Sequence, residues 1–574
     1  MLILLTIFLF ILIPVVMLIF HLARPRFSIQ GFLAVLAGIA GWVMVFIARS
    51  AAPQVIILLQ WKPEYLFPIS PSLLVDEISW FFALALASLA VTVLVTSIAR
   101  LGQNSKPDNL PVQKITPGNE GKIPLHQEVP SAKPVMPLDV EVKPGWHLWA
   151  SILILTSLGL VAVIAGNMLT LLLAWAALDI TELFILLGQV PRSIVRERII
   201  LAFSAKVAGT GILLIATLIF WSQGSSLTFD EITYTISPYL LLAAALRLGV
   251  LPLHLPLVHR LPIWPGFGTV LRLVPASASF ILLVRVSNLG ITGVITPYLL
   301  AFTTLTGIFA AVKWLIAQNE LDGRPFWLLG TASLSIAAAI LNQPTACLVW
   351  AITSLLSGGF IFSIPLRHKY LIPLIVLGLA NFSALPFSPT WQGVRLYSIP
   401  TNIPLTHSLF YLFAFFLLVS QSFLLAGLIR HALHGIFPDA EKKPTRVEHW
   451  VWFLYPIGLF FTLATHLLIG SILYPNLTEV TIAGWILGPL TLFISGFILY
   501  ISWRFPRTIQ LAGHSKITIF WNNLFSFEWL YRYLWKLFRS LARLFALISS
   551  ILEGDGGIIW ALVLFALIFV FLQR

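Results

Sequence analysis

Residues 165–188 read AGNMLTLLLAWAALDITELFILLG. The run exceeds the roughly 20 apolar residues that a helix needs to cross a bilayer, and its only charges are Asp179 and Glu182. Three residues apart, the two carboxylates share one helix face. Ionisable groups inside a membrane are costly and need a partner or a task, so the segment reads as a spanning helix with one chemically loaded side.

Comparable apolar runs fill the rest of the chain. Of 574 residues, 59% are hydrophobic and 10% charged, whereas soluble domains carry about 25% charged residues. The segments of spanning length are 2–22, 29–48, 77–99, 147–166, 168–190, 199–221, 238–258, 266–287, 293–317, 326–342, 345–364, 371–388, 405–429, 450–473, 480–503 and 557–572. The first has no basic leader and no small-residue cleavage site, so it is expected to be a retained helix rather than a signal peptide. The fold class expected is all-α, a polytopic transmembrane helix bundle of about sixteen spans, in a multi-pass protein of a cell membrane such as a bacterial inner membrane.

The net charge of +13 would suit nucleic acid, but no nucleic-acid motif accompanies it and its distribution has another cause. With the N-terminus placed outside, the inner connections receive Arg24, Arg26, Arg100, Arg192, Arg196, Arg198, Arg260, Arg324, Arg367, Lys369, Arg430, Lys442, Lys443, Arg446, Arg504, Arg507 and Lys516. The outer ones hold Arg49, Lys62, Arg285 and Arg395, with Asp230, Glu231 and Glu479. This is the positive-inside bias, and it puts both termini on the outer face.

Two stretches break the pattern. Residues 101–146 are rich in Pro and Lys and read as a flexible cytoplasmic loop. In 521–552, Arg532, Lys536, Arg539 and Arg543 oppose a stripe of Trp529, Tyr533, Leu537, Leu541 and Leu544. That is a basic amphipathic helix at the membrane surface, serving as an interfacial anchor or as a mechanical coupling element. The expected organisation is therefore N-terminal helices (1–100), the loop (101–146), a core (147–390), C-terminal helices (391–520), and the amphipathic helix with a last span (521–574).

Several motifs, in order, resemble the antiporter-like membrane subunits of respiratory complex I and their relatives in Mrp-type cation/proton antiporters and membrane-bound hydrogenases. They are LLVDEISWFFAL (73–84), the 165–188 helix, AAALRLGVLPLHLPL (243–257), FGTVLRLVPASASFILLVRV (267–286), and an amphipathic helix followed by EGDGGIIWALVLF (553–565). The resemblance covers most of 70–390 and the C-terminus. It implies two inverted repeats, each with an interrupted helix, and proton half-channels meeting at mid-membrane. Pro252, Pro256, Pro262, Pro265 and Pro275 mark the seventh and eighth spans as the place for non-helical backbone, because Pro removes a donor and clashes with the preceding turn.

Carried over residue by residue, the resemblance weakens at the proton path. The family's Trp-Glu pair reads Trp175-Ala176, leaving Asp179 or Glu182 to stand in for the lost carboxylate, or to be paired structurally. The family's Lys is Arg247, a permanent cation that can stabilise an anion but not cycle a proton. His254 fits the Pro-Leu-His triplet and, in a continuous helix, would share the face of Arg247. Lys206 is the best protonatable amine, with Asp179 or Glu182 as natural partners, and Thr210 stands where the family has Asp. Arg272 lies near the family's broken-helix His. In the second half Glu320 matches an Asp and the Lys-Arg pair reads Asp322-Gly323. The motif His-Ala-Phe-Phe-Lys-Ala-Leu becomes Thr353 to Gly359, with Ser357 at the lysine.

Two functions follow. One is a divergent subunit of a complex I-like or Mrp-like assembly that moves protons or Na⁺ along Asp179, Glu182, Lys206, Arg247, His254 and Arg272. The other is a structural membrane subunit that kept the fold and lost conduction; an unrelated secondary transporter fits the motif order less well. Expected partners are other membrane subunits and the lipid bilayer, without nucleic acid. The single cysteine, Cys347, and the lack of nucleotide or haem motifs point to no cofactor and no metal. Any electron transfer belongs to partner subunits.

Overall fold

The computed structural model describes residues 1–23, 30–57, 70–101, 145–189, 193–255, 265–291, 293–364, 369–398, 406–433, 446–473, 482–505 and isolated positions between 533 and 568. The chain forms two units, Met1–Ile509 and Gln510–Arg574. In the second, Tyr533, Lys536, Arg539, Ser540, Arg543, Ala546 and residues 561–566 are helical and exposed. The remainder of the expected amphipathic helix lies outside the described residues, as does the loop between 102 and 144.

Unit one is an all-α polytopic bundle. Its helices are α1 (Leu2–Ala23), α2 (Gln30–Ile47), α3 (Glu77–Leu101), α4 (Trp146–Val163), α5 (Met168–Gln189), α6 (Ser193–Ser222), α7 (Ser237–Arg247), α8 (Pro265–Val286), α9 (Thr296–Ile316) and α10 (Glu320–Ile340). There follow α11 (Pro344–Phe362), α12 (Ile372–Phe382), α13 (His407–Leu433), α14 (Arg446–Ile472) and α15 (Ile482–Arg504). Each falls on one of the first fifteen expected segments, and among the described residues twelve helices are long and apolar enough to span a membrane.

Helices α4–α8 and α9–α13 have the same plan. In each set the first helix packs on the fifth, and the fourth is short. Five crossings reverse the direction of the chain, so the sets are inverted. The short members, α7 and α12, have 11 residues each, about 16 Å of helix at 1.5 Å per residue, half the depth of a bilayer core.

Non-helical backbone at membrane depth must find partners inside the protein, and both interruptions do. After α7 the chain turns through Gly249 at φ +81°. His254 N–H donates to the Gly249 carbonyl at 2.9 Å, and Thr306 Oγ1 of α9 donates to the Val250 carbonyl at 3.2 Å. After α12, Thr390 Oγ1 accepts from Ala384 N–H and donates to the Asn381 carbonyl, both at 2.9 Å, and Trp391–Tyr397 then forms a 3-10 turn. The proline-based expectation is corrected in one respect. Among the described residues the break follows α7, and α8 runs on through Pro275, with Ser277 Oγ donating to the Val274 carbonyl at 2.7 Å.

At one end of the bundle a small hairpin, β1 (Gln54–Ile57) antiparallel to β2 (Ser72–Val75), leads into α3. Asp76 caps that helix by accepting from Ser79 N–H at 2.8 Å and pairs with Arg285 of α8 at 3.1 Å. Asn167 Nδ2 donates to the Ser70 carbonyl at 3.0 Å. The two motifs around Asp76 and Asn167 thus join three helices to one hairpin.

Helix α15 lies close to the second interruption: a Cβ at Gly488 would stand 2.3 Å from the Ala384 carbonyl oxygen, whereas at Gly496 nothing lies within 4 Å. Backbone cannot yield as a side chain can. Gly488→Ala is expected to lower stability by about 1–3 kcal/mol and Gly496→Ala not at all, as read by thermal unfolding of the purified protein in detergent.

Candidate functional site

The loaded face of α5 turns toward α6, α7 and α8. Asp179 and Glu182 are 2% and 4% exposed, so neither is a solvated residue at a helix end. On α6, Lys206 and Thr210 stand one turn apart, and Arg247 ends α7. Each carboxylate takes its own cation. Lys206 Nζ donates to Glu182 Oε2 at 2.6 Å. Arg247 grips Asp179 with both guanidinium nitrogens, Nη2 donating to Oδ1 at 2.7 Å and Nη1 to Oδ2. Nη1 also donates to Thr210 Oγ1 at 2.9 Å. The planar fork makes this the more rigid pair.

The Arg247 guanidinium lies 4.2 Å from the centre of the Trp175 ring, whose Nε1 donates to the Ala278 carbonyl of α8 at 3.2 Å. Its stem crosses α6 at Gly209, where a Cβ would meet Arg247 Cγ at 2.6 Å. Glycine is required there so that the arginine can reach Asp179.

Two small cavities flank the Lys206–Glu182 pair, each with room for about one water molecule. One is bordered by Asp179, Glu182 and Lys206, the other by Lys206, Arg247, Arg272 and Ser279. Lys206 borders both. Arg272 is buried on α8 and donates from Nη1 to the Gly268 carbonyl at 2.9 Å. Five of the six sequence candidates therefore converge on one volume.

His254 is placed apart. Because α7 ends at Arg247, helical spacing does not carry to residue 254. The imidazole lies in the interruption with Nδ1 2.9 Å from the Pro252 carbonyl oxygen, and it borders neither cavity.

The sequence places Arg324 in an inner connection rather than at the site. Helix α10 starts six residues before the expected 326 and buries it at 7% exposure. There Nη1 donates to Thr269 Oγ1 of α8 at 3.4 Å. A Cβ on Gly268 would touch both Arg324 Nη1, at 2.7 Å, and Arg272 Nη1, at 3.3 Å, so the two guanidinium groups meet over one glycine where the two helix sets join. The missed signal is Asn319, whose side chain accepts from Asp322 N–H at 2.8 Å, an N-cap pattern that moves the helix start upstream.

The second set is built differently. Thr331 Oγ1 of α10 donates to Ser354 Oγ of α11 at 2.7 Å, and Trp327 Nε1 donates to the Ser354 carbonyl at 3.2 Å. Thr353 faces His466 of α14, and Ser357 is buried. Where α10 and α11 face each other and α14, hydroxyls and the His466 imidazole line the contact, while the set's own buried imidazole, His431 of α13, lies against the Trp314 carbonyl at 2.9 Å.

No family model matches the sequence, and no curated protein matches it at the sequence level. Solved structures do match. A chain of the Mrp complex from Dietzia sp. DQ12-45-1b superimposes with a TM-score of 0.66 at 13% identity, over 100% of this chain and 63% of that one. A chain of the membrane-bound sulfane sulfur reductase, an archaeal respiratory membrane complex, gives 0.62 at 14% identity, over 98% and 99%. One of respiratory complex I from Thermus thermophilus gives 0.52 at 15%, over 82% and 98%. The chain shares its fold with these membrane-complex chains. The chain thus spans just under two thirds of the Mrp chain it matches.

The two ion pairs are predicted to respond differently to loss of the anion. Asp179→Asn leaves a cation that cannot discharge, and should cost about 3–5 kcal/mol. Glu182→Gln leaves an amine that can shed its proton and should cost clearly less. The double variant Asp179→Leu/Arg247→Met should recover most of the single-variant loss. Thermal unfolding of the four proteins in one detergent checks the order.

Proposed function

We propose that the chain is a membrane subunit of a complex I-like or Mrp-like assembly and that it moves protons or Na⁺ through its first five-helix set. The observation that carries this reading is the Lys206–Glu182 pair between two water-sized cavities. An amine and a carboxylate 2.6 Å apart can exchange a proton, and the flanking cavities allow water to deliver and remove it. Glu182 accepts a proton from the cavity on the Asp179 side, and Lys206 releases one toward Arg272. Arg247 with Asp179 serves as the fixed charge that holds the exchanging pair in register, and Arg272 sets the potential on the far side.

The shared fold with chains of respiratory and Mrp complexes supports other membrane subunits as partners, in a cell membrane such as a bacterial inner membrane. The distribution of Lys and Arg supports an orientation with both ends of the chain on the outer face. A structural, non-conducting subunit is the alternative. The mutual satisfaction of all four charges favours it, since fully paired ions can simply hold helices together.

Proton and Na⁺ fluxes into vesicles carrying the assembly with its native partners separate the two. Conduction predicts that Glu182→Gln and Lys206→Ala each lower flux by tenfold or more, on the order of a lost general acid–base group. Lys206→Arg, which keeps the charge but cannot exchange, should do the same. Wild-type flux in Glu182→Gln and Lys206→Ala would remove the pair from the path. A wild-type assembly without flux would establish the structural reading.

A further inference from the structure

The hydroxyl face of α11 meets a titratable side chain from outside its own five-helix set. His466 of α14 is 3% exposed and places Nε2 3.3 Å from Thr353 Oγ1. The single hydroxyl proton of Thr353 is committed to the Val349 carbonyl at 2.6 Å, so its oxygen accepts and Nε2 of the ring carries the hydrogen. In the neutral ring Nδ1 is then the basic nitrogen. Ser357 stands one turn beyond Thr353 on the same face, and its buried hydroxyl has no partner. Thr331 and Ser354, bonded at 2.7 Å, continue the hydroxyl cluster toward α10.

Few other groups bear on that ring. Helix α14 packs on α3, α11 and α12. The charged residues of α3 are Glu77 and Arg100 near its ends, α12 has none, and the only titratable group of α11 is Cys347. Helix α14 itself carries Arg446, Glu448 and His449 in its first turn, and Tyr455 beyond them. His466 is thus, among the described residues, the imidazole placed where the second set meets α14, with one ring nitrogen facing the α11 hydroxyls.

We propose that His466 is the proton-exchanging group of the second helix set, acting through the Thr353 and Ser357 hydroxyls. It restores, from a different helix, an ionisable function to a face that has only hydroxyls of its own. The step is simple in its balance. A water gives a proton to Nδ1, forming the imidazolium and leaving hydroxide to be reprotonated from its own side. Nε2 then releases its proton to a water held between Thr353 and Ser357, and the ring returns to neutrality in the other tautomer. Ring rotation or the reverse exchange resets it.

The inference rests on the conduction reading above, and its test separates the two. In the same flux measurement His466→Gln, which retains an amide to bond Thr353, should lose tenfold or more, as expected for a removed exchange group, with little change in thermal stability. Moving the imidazole across the contact, in the double variant Thr353→His/His466→Thr, should restore most of the flux, which a merely structural histidine would not require. If His466→Gln conducts like the wild type while Glu182→Gln does not, His466 has no part in the path and the first-set reading stands. A folded double variant that remains as inactive as His466→Gln also overturns the relay. A wild-type assembly without flux removes both readings.

Discussion

The grip of Arg247 on Asp179 is the interaction on which the surrounding architecture depends. A guanidinium stays charged in any environment the protein offers, and a charge at membrane depth without a counter-ion is costly. Its position therefore dictates that of its neighbours. Asp179 must face α7, Trp175 must lie flat beneath the guanidinium, and Gly209 must be bare so that the arginine stem can pass. Helix α7 stops at this residue, and the unwound backbone that follows is held by a hydroxyl of α9. One ion pair thus joins α5, α6 and α7, and the ring of Trp175 extends the link to α8.

The two five-helix sets have satisfied the same constraint in different currencies. In the first, every buried charge of the α5–α6–α7 cluster has an opposite charge, so removing one member exposes another. In the second, threonine and serine hydroxyls bond to carbonyls one turn back or to each other. A hydroxyl is far less costly to bury than an ion and can turn its single proton toward either of two acceptors. The second set therefore carries the buried Ser357 on this face with no acid required beside it. The meeting of Arg272 and Arg324 over Gly268 places permanent cations at the junction between the two.

Helices of spanning length were legible because lipid imposes a simple rule, about 20 apolar residues per crossing, and fifteen segments obey it closely enough to be placed. The boundaries that failed are those where polarity belongs to the interior. Arg324 looked like a positive-inside loop residue, because its flanking Glu320 and Asp322 lowered the local hydropathy; packing against α8 draws all of that turn into the helix. Periodicity similarly joined Arg247 to His254 across a break that one glycine and the following prolines create. The pairing of carboxylates with cations was only half readable. Spacing showed that Asp179 and Glu182 share a face, but which takes Arg247 and which takes Lys206 depends on how α6 and α7 are set against α5, a matter of tertiary packing. His466 left no local signal, since its meaning comes from Thr353, far away in sequence and adjacent only in the folded bundle.

In the proposed path, the difference in chemistry between the two cations decides where exchange belongs. Had Lys206 taken Asp179 and Arg247 taken Glu182, the exchanging pair would lie at the level of the Trp175 ring and the fixed pair one turn away. As built, the arginine is fastened by two donors to one carboxylate and by a third contact to Thr210, so its geometry can change only at the expense of several bonds together. Lys206 makes one bond to Glu182 through a flexible four-carbon stem and borders both cavities. An ammonium that can swing and discharge, beside a guanidinium that can do neither, divides one buried cluster into a static half and a mobile half. In the proposed path a guanidinium at Arg247 leaves no exchange on α7, and the exchanging carboxylate is Glu182, six residues beyond Ala176 along α5. In that path the fixed pair is Arg247 with Asp179, and the working pair is Glu182 with Lys206.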